Sequence, residues 1–239
     1  AEYTRADSSY EFQKENNQNE QFNYEIYQNR INILNYIGTD KEVVVPASIE
    51  GYPVYSIASH AFDDDNNIEK ITIEEGIKVI GEYAVSCCRN LKEINLPASV
   101  VNMSQFFDSL EQLETVTMPD DGKYYCVIDN VLFTKDMKTL VLYPAKKQDI
   151  SYIIPSGVVN IGLGAFSYQA YLQKLDMPDS LKNIGYWAFM HCTKLEEINF
   201  SENCESIGQY AFHYCGIKRI ELAKSPDVFI MDGSTIPQL

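Results

Sequence analysis

The sequence of 239 residues predicts a repeat solenoid, an elongated stack of similar coils. One pattern recurs along it: two apolar residues around a polar one, a proline, an apolar residue three positions on, Ile-Gly, and finally Ala-Phe. It is clearest at residues 152–166, 175–189 and 198–212. The repeat length of about 23 residues lies in the range of known solenoid repeats. One extended domain, residues 22–239, is therefore expected.

The chain before the first repeat divides into two parts. Residues 1–21 are polar and rich in Asn, Gln, Glu and Ser, which predicts a flexible leader or surface tether, or a remnant foreign to the fold. Residues 22–45 form a predicted N-terminal cap. They hold two apolar runs, 22–27 and 31–37, separated by the turn formers Gln28 and Asn29, which predicts a β-hairpin. Such a cap covers the apolar end of the first coil.

Within each coil, alternation defines a strand with one buried face. Leu175 and Met177 are expected to point inward and Asp176 outward. Stacked at about 4.8 Å, these strands should form one long parallel sheet on the concave side. The glycine of Ile-Gly is expected at a sharp turn, which glycine makes without strain, and the phenylalanine of Ala-Phe fills the interior. The predicted interior residues are Phe62, Phe107, Phe166, Phe189 and Phe212, with Val85 in one coil.

Between Pro119 and Pro155 the Ile-Gly and Ala-Phe elements are missing. Three short apolar segments replace them, divided at Asp129-Asn130 and at residues 136–138. We predict a β-meander at residues 120–150 that replaces one convex leg without breaking the stack. Residues 224–239 carry an Asp-Gly turn but no complete repeat, which indicates a C-terminal cap or a truncated repeat.

The charge and the cysteines limit the function classes. The formal net charge is −15, which disfavours nucleic acid and anionic lipid as partners. No run reaches 18 apolar residues, so membrane insertion of the mature chain is not expected. Cys192 and Cys215 would stack with parallel side chains, a poor geometry for a disulfide. We expect free thiols throughout, with bridges through Cys87 or Cys126 the least excluded.

Three stretches together resemble a known family. They are the frame of residues 175–195 with its Met177-Pro178, Ile184-Gly185 and Ala188-Phe189 pairs, the opening Gly51-Tyr52-Pro53-Val54, and the insert from Val131 to Ala145. Over about residues 22–222 the chain resembles the BspA-like bacterial leucine-rich repeat proteins. The resemblance implies a right-handed leucine-rich repeat superhelix, exported and often displayed on the bacterial surface, with adhesion or protein binding as the usual role. It supplies no fixed set of functional residues.

Motifs for catalysis are absent, which predicts that the protein is not an enzyme and needs no cofactor. A zinc site from His191, Cys192, His213 and Cys215 is disfavoured because the cysteines point inward. A calcium site at residues 63–65 or 120–121 is also disfavoured, since neither run has the spacing of a known loop. No metal site is predicted.

Two rows of exposed residues are the candidate sites. The outward strand positions suit partner recognition because their side chains are ordered before binding. Exposed strand residues are ordinarily polar, and this explanation stays open. The concave-face candidates are Thr72, Asn95, Thr117, Ile153, Asp176, Asn199 and Glu221, flanked by Glu93, Lys174 and Glu197. A convex row of aromatic residues precedes Ala-Phe and suits sugar stacking, or simple packing between turns. Its candidate residues are Tyr83, Tyr186, Trp187 and Tyr210, in a row that also includes His60 and has Tyr168 and Tyr214 nearby.

The sequence thus favours a non-enzymatic, secreted or cell-surface bacterial module. Recognition of a host-matrix or cell-surface protein through the concave face is the first hypothesis. Carbohydrate binding through the aromatic row is the second, and a passive spacer is the third.

Overall fold

A computed structural model describes residues 15–103, 107–217 and 219–221. Over these ranges it contains 22 strands and no helix. In chain order the strands are β1 Glu15–Gln18, β2 Phe22–Tyr27, β3 Arg30–Tyr36, β4 Glu42–Val45, β5 Ser48–Ile49, β6 Tyr52–Ile57, β7 Lys70–Ile73, β8 Val79–Ile80, β9 Val85–Ser86, β10 Glu93–Asn95, β11 Phe107–Asp108, β12 Thr115–Thr117, β13 Tyr125–Ile128, β14 Val131–Thr134, β15 Thr139–Leu142, β16 Ser151–Ile153, β17 Asn160–Ile161, β18 Lys174–Asp176, β19 Asn183–Ile184, β20 Glu197–Asn199, β21 Ser206–Ile207 and β22 Arg219–Glu221.

Each regular coil contributes one strand to each of two parallel ladders. The main ladder contains the longer strands, in the orders β4-β7-β10-β12 and β16-β18-β20-β22. The short ladder contains the Ile-Gly strands, with β15, β17, β19 and β21 in one sheet. Residues one repeat apart therefore lie side by side, as Lys174 and Glu197 do. The predicted solenoid is confirmed.

The core fills the space between the ladders. Leu175 and Met177 are buried while Asp176 between them is partly exposed, so the predicted alternation is confirmed. Every described phenylalanine of the Ala-Phe position is at most 4% exposed, and so is Val85. Phe189 stacks on Phe166 and on Phe212, with ring centroids 5.0 and 5.1 Å apart. This buried column gives each coil an aromatic contact with both neighbours.

The repeated glycines begin a turn, as predicted, since the Gly208 carbonyl accepts the Ala211 N–H at 3.2 Å. The reason that glycine is needed there is close stacking of the coils and not its backbone conformation. The glycines with φ in the left-handed region are those at positions 51, 76, 157 and 164, which excludes Gly185 and Gly208. A Cβ on Gly208 would lie 2.4 Å from the backbone nitrogen of Tyr186 in the preceding coil. Glycine is needed because only a residue without a side chain lets the two backbones approach so closely.

The N-terminal hairpin is confirmed, but its boundaries differ from the predicted ones. β2 and β3 pair antiparallel through Gln28 and Asn29, both with positive φ, and β3 then pairs parallel with β6 of the first coil. Residues 15–18 of the predicted leader form β1, which pairs with β2, so a leader that extends to residue 21 is wrong. β4 already belongs to the main ladder, so the cap ends before residue 42. Residues 1–14 and 224–239 lie outside the described residues.

The insert is a meander, as predicted, but it divides the main ladder. β13, β14 and β15 pair antiparallel in order, and β15 then joins the short ladder beside β17. The prediction of one long main sheet is wrong, because β12 and β16 are end strands of two separate sheets of four strands. The backbone remains connected across the break through the Lys146 N–H, which donates to the Leu113 carbonyl at 2.8 Å.

β14 is the wall between the two halves. It is buried on both faces: Leu132 packs into the core of the first half, and Val131 and Phe133 pack into the core of the second half. A strand buried on both faces needs apolar residues in succession, without alternation, and the run Val131-Leu132-Phe133 supplies them. β14 therefore separates the two cores, and the main-ladder strands β12 and β16 belong to different sheets.

Candidate partner-binding face

The predicted concave-face positions lie in two straight rows, one on each sheet of the main ladder. In the first sheet, Asn95 lies between Thr72 and Thr117 in register. In the second sheet, Asp176 lies between Ile153 and Asn199, and Asn199 is in register with Glu221. The predicted flanking residues Glu93, Lys174 and Glu197 occupy the parallel row two positions earlier in their strands.

Asn95 connects three coils of the first sheet through its side-chain amide. Its Nδ2 donates to Thr72 Oγ1 at 3.2 Å and to Glu93 Oε1 at 2.9 Å, while its Oδ1 accepts the hydroxyl of Thr117. Lys70 Nζ lies 2.9 Å from Glu93 Oε1. The Lys70 ammonium, followed by the Asn95 amide, lowers the pKa of Glu93 below its usual value. These bonds fix the side chains before any partner arrives.

The second sheet repeats this arrangement with more negative charge. Asn199 Nδ2 donates to Asp176 Oδ1, and Lys174 Nζ lies 2.8 Å from Glu197 Oε1. The hydrogen bond to Glu197 raises the pKa of Lys174. Ile153 differs from its row, because it is apolar and 72% exposed.

A similar polar chain runs along the short ladder on another face of the coils. Asn183 Nδ2 donates to Asn160 Oδ1 at 2.8 Å, and Ser206 Oγ donates to Asn183 Oδ1 at 2.7 Å. Bonds between stacked polar side chains therefore also support the solenoid itself. The polar rows of the main ladder give the same support, and they are in addition exposed and lie next to a row of ion pairs.

At the break, Asn130 replaces the missing strand for β12. Its Oδ1 accepts the N–H of Val116 at 2.9 Å, and its Nδ2 donates to the Glu114 carbonyl at 2.7 Å. One side-chain amide thus presents the donor and acceptor that a neighbouring peptide group would present. The end of the first sheet is closed by the tip of the β13–β14 hairpin, whose Asp129 and Asn130 both have positive φ.

Lys147 fastens this tip to the second half. Its Nζ lies 3.1 Å from Asp129 and 2.9 Å from Asp149, and its side chain is only 11% exposed. Burial works against the charged ammonium, but the bonds to the two carboxylates outweigh it and raise the pKa of Lys147. Asp149 also accepts the hydroxyl of buried Tyr143 at 2.5 Å. The tip and the segment before β16 are thereby held in one network.

The predicted aromatic row is not one continuous stack. Trp187 and Tyr210 lie in consecutive coils, but Gly164 occupies the same position in the coil before Trp187, and Tyr83 lies on the other side of the insert. Tyr83 stacks on His60 with centroids 5.6 Å apart, and Tyr210 meets His213 edge to face. The row shares a feature that its residue types do not signal: Tyr83, Trp187 and Tyr210 all have positive φ. Tyr186, the remaining candidate, is 44% exposed.

A second aromatic column was not recognised as a stack from the sequence, although Tyr168 and Tyr214 were noted near the predicted row. Tyr168, His191 and Tyr214 lie two residues after the phenylalanine of their coils and stack at 4.7 and 4.8 Å. Their rings face one another, so the internal ring faces are already occupied and a sugar would find a free face only at the ends of the column. The repeat spacing of about 23 residues was the signal that would have found it.

The structure treats the two disfavoured metal sites differently, the first being the His–Cys group around Cys192 and the second the acidic run at residues 63–65. The cysteine thiols of the first donate to backbone carbonyls, Cys192 to Phe166 at 2.9 Å and Cys215 to Cys192 at 3.4 Å. At the second, donor atoms of Asp63, Asp64 and Cys87 lie within 4.8 Å of one another. The sequence analysis did not include Cys87 in that group. All six cysteines are free thiols.

Comparison with known proteins identifies the repeat. The family model described as "BspA type Leucine rich repeat region" matches six copies, over residues 41–151 and 124–230. The chain belongs to this family. Among curated proteins nothing matches. No helix in the described ranges is long and apolar enough to cross a membrane.

Solved structures of bacterial leucine-rich repeat proteins share the fold. The T. pallidum leucine-rich repeat protein is 23% identical with a TM-score of 0.55, covering 84% of this chain and 90% of its own. The pneumococcal vaccine antigen PcpA is 22% identical with a TM-score of 0.54, covering 86% and 75%. A leucine-rich repeat protein from Eubacterium ventriosum is 20% identical with a TM-score of 0.53, covering 85% and 70%.

Proposed function

We propose that this BspA-type protein is a non-enzymatic binding module that recognises a protein partner through the face of its main ladder, the predicted concave face. The observation that carries the proposal is the bonded polar network of that face, centred on Asn95 in one sheet and on the Asp176–Asn199 pair in the other. Side chains that are already ordered lose little conformational freedom when a partner binds.

We further propose that the module is exported and acts at the bacterial surface, on a host-matrix or neighbouring-cell protein. The net charge of −15 supports a role in solution or at a surface, away from nucleic acid. Leucine-rich repeat solenoids present an extended surface well suited to this task, since neighbouring coils contribute equivalent positions to one face.

The direct test is a binding screen against extracellular-matrix proteins, with collagen, fibronectin and laminin immobilised. A combined Asn95→Ala, Asp176→Ala and Asn199→Ala variant is expected to lose at least tenfold in affinity for any protein that the wild type binds. The matched control is Asn160→Ala with Asn183→Ala, which removes the corresponding polar chain from the short ladder. Equal losses in both variants would contradict the assignment of the binding face.

The carbohydrate alternative has its own outcome in the same screen. A glycan array probed with wild type and Trp187→Ala tests it, since Trp187 is one of the candidate residues of the aromatic row. Sugar binding that disappears in the tryptophan variant would replace the protein-binding proposal. Binding to neither proteins nor sugars would favour the spacer.

A further inference from the structure

The coil of the main ladder that contains β16 has two strongly exposed isoleucines. Ile153 is 72% exposed and Ile150 is 63% exposed. The equivalents of Ile153 in the other coils are polar, with the exception of Val44 in the first strand: Thr72, Asn95, Thr117, Asp176, Asn199 and Glu221. The equivalents of Ile150 are also polar or charged: Glu69, Lys92, Glu114, Gln173 and Glu196. Two large apolar side chains in the coil beside the break do not contribute to the core.

A third isoleucine comes from the insert. Ile128 is 50% exposed and ends β13, directly before the hairpin tip. Lys147 binds both Asp129, which follows Ile128, and Asp149, which precedes Ile150. Ile128 and Ile150 are therefore each next in sequence to an aspartate of one ion-pair network, and Ile153 follows three residues after Ile150. These three isoleucines are called here the isoleucine patch. Apolar side chains grouped on a soluble surface mark interaction sites.

The strand that carries the patch also has an open edge. β16 is an end strand that pairs with β18, and the N–H of Ile154 donates to the Asp176 carbonyl on that side. Because N–H directions alternate along a strand, the N–H of Ile153 points to the other side, into the break. β12 is closed by Asn130 at its corresponding edge. Open edges invite pairing with another chain.

The residues that lead into β16 line a cleft next to the break. The cleft has a volume of about 550 Å3 and lies between β12 and the segment that leads into β16. Its lining is mainly polar, and Thr115, Asn130, Gln148 and Tyr171 contribute to it.

The charge around the patch selects the chemistry of the occupant. The Asp129 side chain is 76% exposed, Asp149 lies beside Ile150, and Asp176 is the register partner of Ile153. Lys147, the cation that contacts the two aspartates at 129 and 149, is almost fully covered. A second copy of this chain would bring another net charge of −15, so a basic partner is favoured over self-association.

We propose that the break between the two main sheets receives an extended segment of a protein partner, rich in basic and apolar residues, which pairs with the open edge of β16 and covers the isoleucine patch. Backbone pairing would supply affinity, and the alternating side chains would supply specificity. This inference rests on the proposed protein-binding function and assigns to it a location and a partner chemistry.

The test begins with a phage-displayed library of random 12-residue peptides, selected on the whole protein. Phage that also bind Ile150→Gln/Ile153→Thr, which carries the polar residue types of neighbouring coils, are removed beforehand. The expected survivors alternate aliphatic residues with Lys or Arg and lack proline in their central part. Survivors that are acidic, or no enrichment over the double variant, would overturn the proposal.

The affinities of a selected peptide for wild type and for two variants then test where on the protein the peptide binds. The double variant should bind at least tenfold more weakly than wild type, while Val44→Thr should bind as wild type. Val44 is the matched control because it is also an exposed apolar residue of the main ladder, 46% exposed, but lies at the far end of the first sheet. Equal loss in both variants refutes the location.

Two further measurements decide the mode and the relation to the proposed function. Hydrogen exchange at the Ile153 amide should slow on binding, and a peptide with N-methylated central amides should lose at least tenfold in affinity. Unchanged exchange rules out edge pairing. If a matrix protein binds, loses affinity in the Asn95, Asp176 and Asn199 variant, and keeps it in Ile150→Gln/Ile153→Thr, this inference fails while the proposed function stands.

Discussion

Replacing Gly185 with alanine is expected to destabilise the protein, although general considerations predict the opposite sign. The φ of Gly185 lies outside the left-handed region, so alanine fits its backbone conformation. At such a site, alanine usually stabilises a protein by about 0.4–1 kcal/mol, because it restricts the unfolded chain. The sign of the measured change therefore reports on the contact between coils.

The magnitude follows from the stacking distance. A Cβ at position 185 would lie 2.7 Å from the carbonyl carbon and oxygen of Gly162, where ordinary contacts begin at 3.4 Å. The coils would have to separate by about 0.7 Å, which weakens the 2.9 Å hydrogen bond from the Gly185 N–H to the Ile161 carbonyl. Overpacking of this kind costs about 1–3 kcal/mol, which exceeds the entropic gain.

The assay is urea unfolding followed by far-UV circular dichroism and by fluorescence of Trp187, the only tryptophan of the chain. Gly162→Ala is the graded control, because its Cβ would meet the Leu140 carbonyl oxygen at 3.1 Å and should cost less than Gly185→Ala. A Gly185→Ala midpoint equal to or above that of the wild type would refute the explanation of the repeated glycine.

Other substitutions test the column, the ion pairs, the thiols and the closed edge. Phe189→Ala should lower the free energy of unfolding by about 3–5 kcal/mol because it opens a cavity in the buried column; a loss below about 1 kcal/mol in urea unfolding would contradict the column's role. Two lysine ammonium groups lower the pKa of Glu69 from 4.5 to about 2. Its carboxylate therefore stabilises the fold above about pH 4.5, and this effect is lost as the pH falls towards 2. The melting temperature of Glu69→Gln should fall below that of wild type at pH 7 and converge with it in acid, whereas a pH-independent difference would exclude the ionic explanation. Burial raises the pKa of the Cys192 thiol well above its ordinary value, so this thiol should react with a disulfide reagent at pH 8 only after urea is added; mass spectrometry of the native protein that finds it modified would count against its burial. Asn130→Asp keeps the acceptor for Val116 but loses a donor, and should cost about 1–3 kcal/mol and speed hydrogen exchange at the Val116 amide. Unchanged exchange would mean that the amide does not close β12.

The repeat made the inward positions predictable. Alternation around Leu175 and the recurring phenylalanines identified the core, because apolar residues at equivalent places in every coil have one common environment. The hairpin cap and the three strands of the insert were also visible, since turn formers such as Asn29 and Asn130 separate their apolar runs.

Features that depend on contacts between coils were not visible. The need for Gly185 was assigned to its backbone conformation at a turn, because a glycine in sequence signals backbone freedom and does not show an approaching neighbour. Trp187 and Tyr210 adopt positive φ, yet aromatic residues do not signal that conformation. The division of the main sheet was missed because the closing group, Asn130, is a side chain that acts in place of a strand.

The candidate face was only partly predictable. Equivalent positions placed Asn95, Asp176 and Asn199 in rows, because one repeat separates register partners. The exposure of Ile153 was implied by the same alignment, but its significance came from the break beside it. Ile128 could not be placed from sequence, since its position depends on how Lys147 ties the hairpin tip to the second half.

The wall formed by β14 bears on how the protein responds to mechanical force. The coils of each half pair with their neighbours in series, so tension between the chain ends would unwind them one after another from the termini. A released coil of about 23 residues yields roughly 80 Å of extended chain. Because each half has its own core on one side of β14, one half can extend while the other stays folded. A chain built in this way lengthens in steps under tension, and one half stays folded while the other extends.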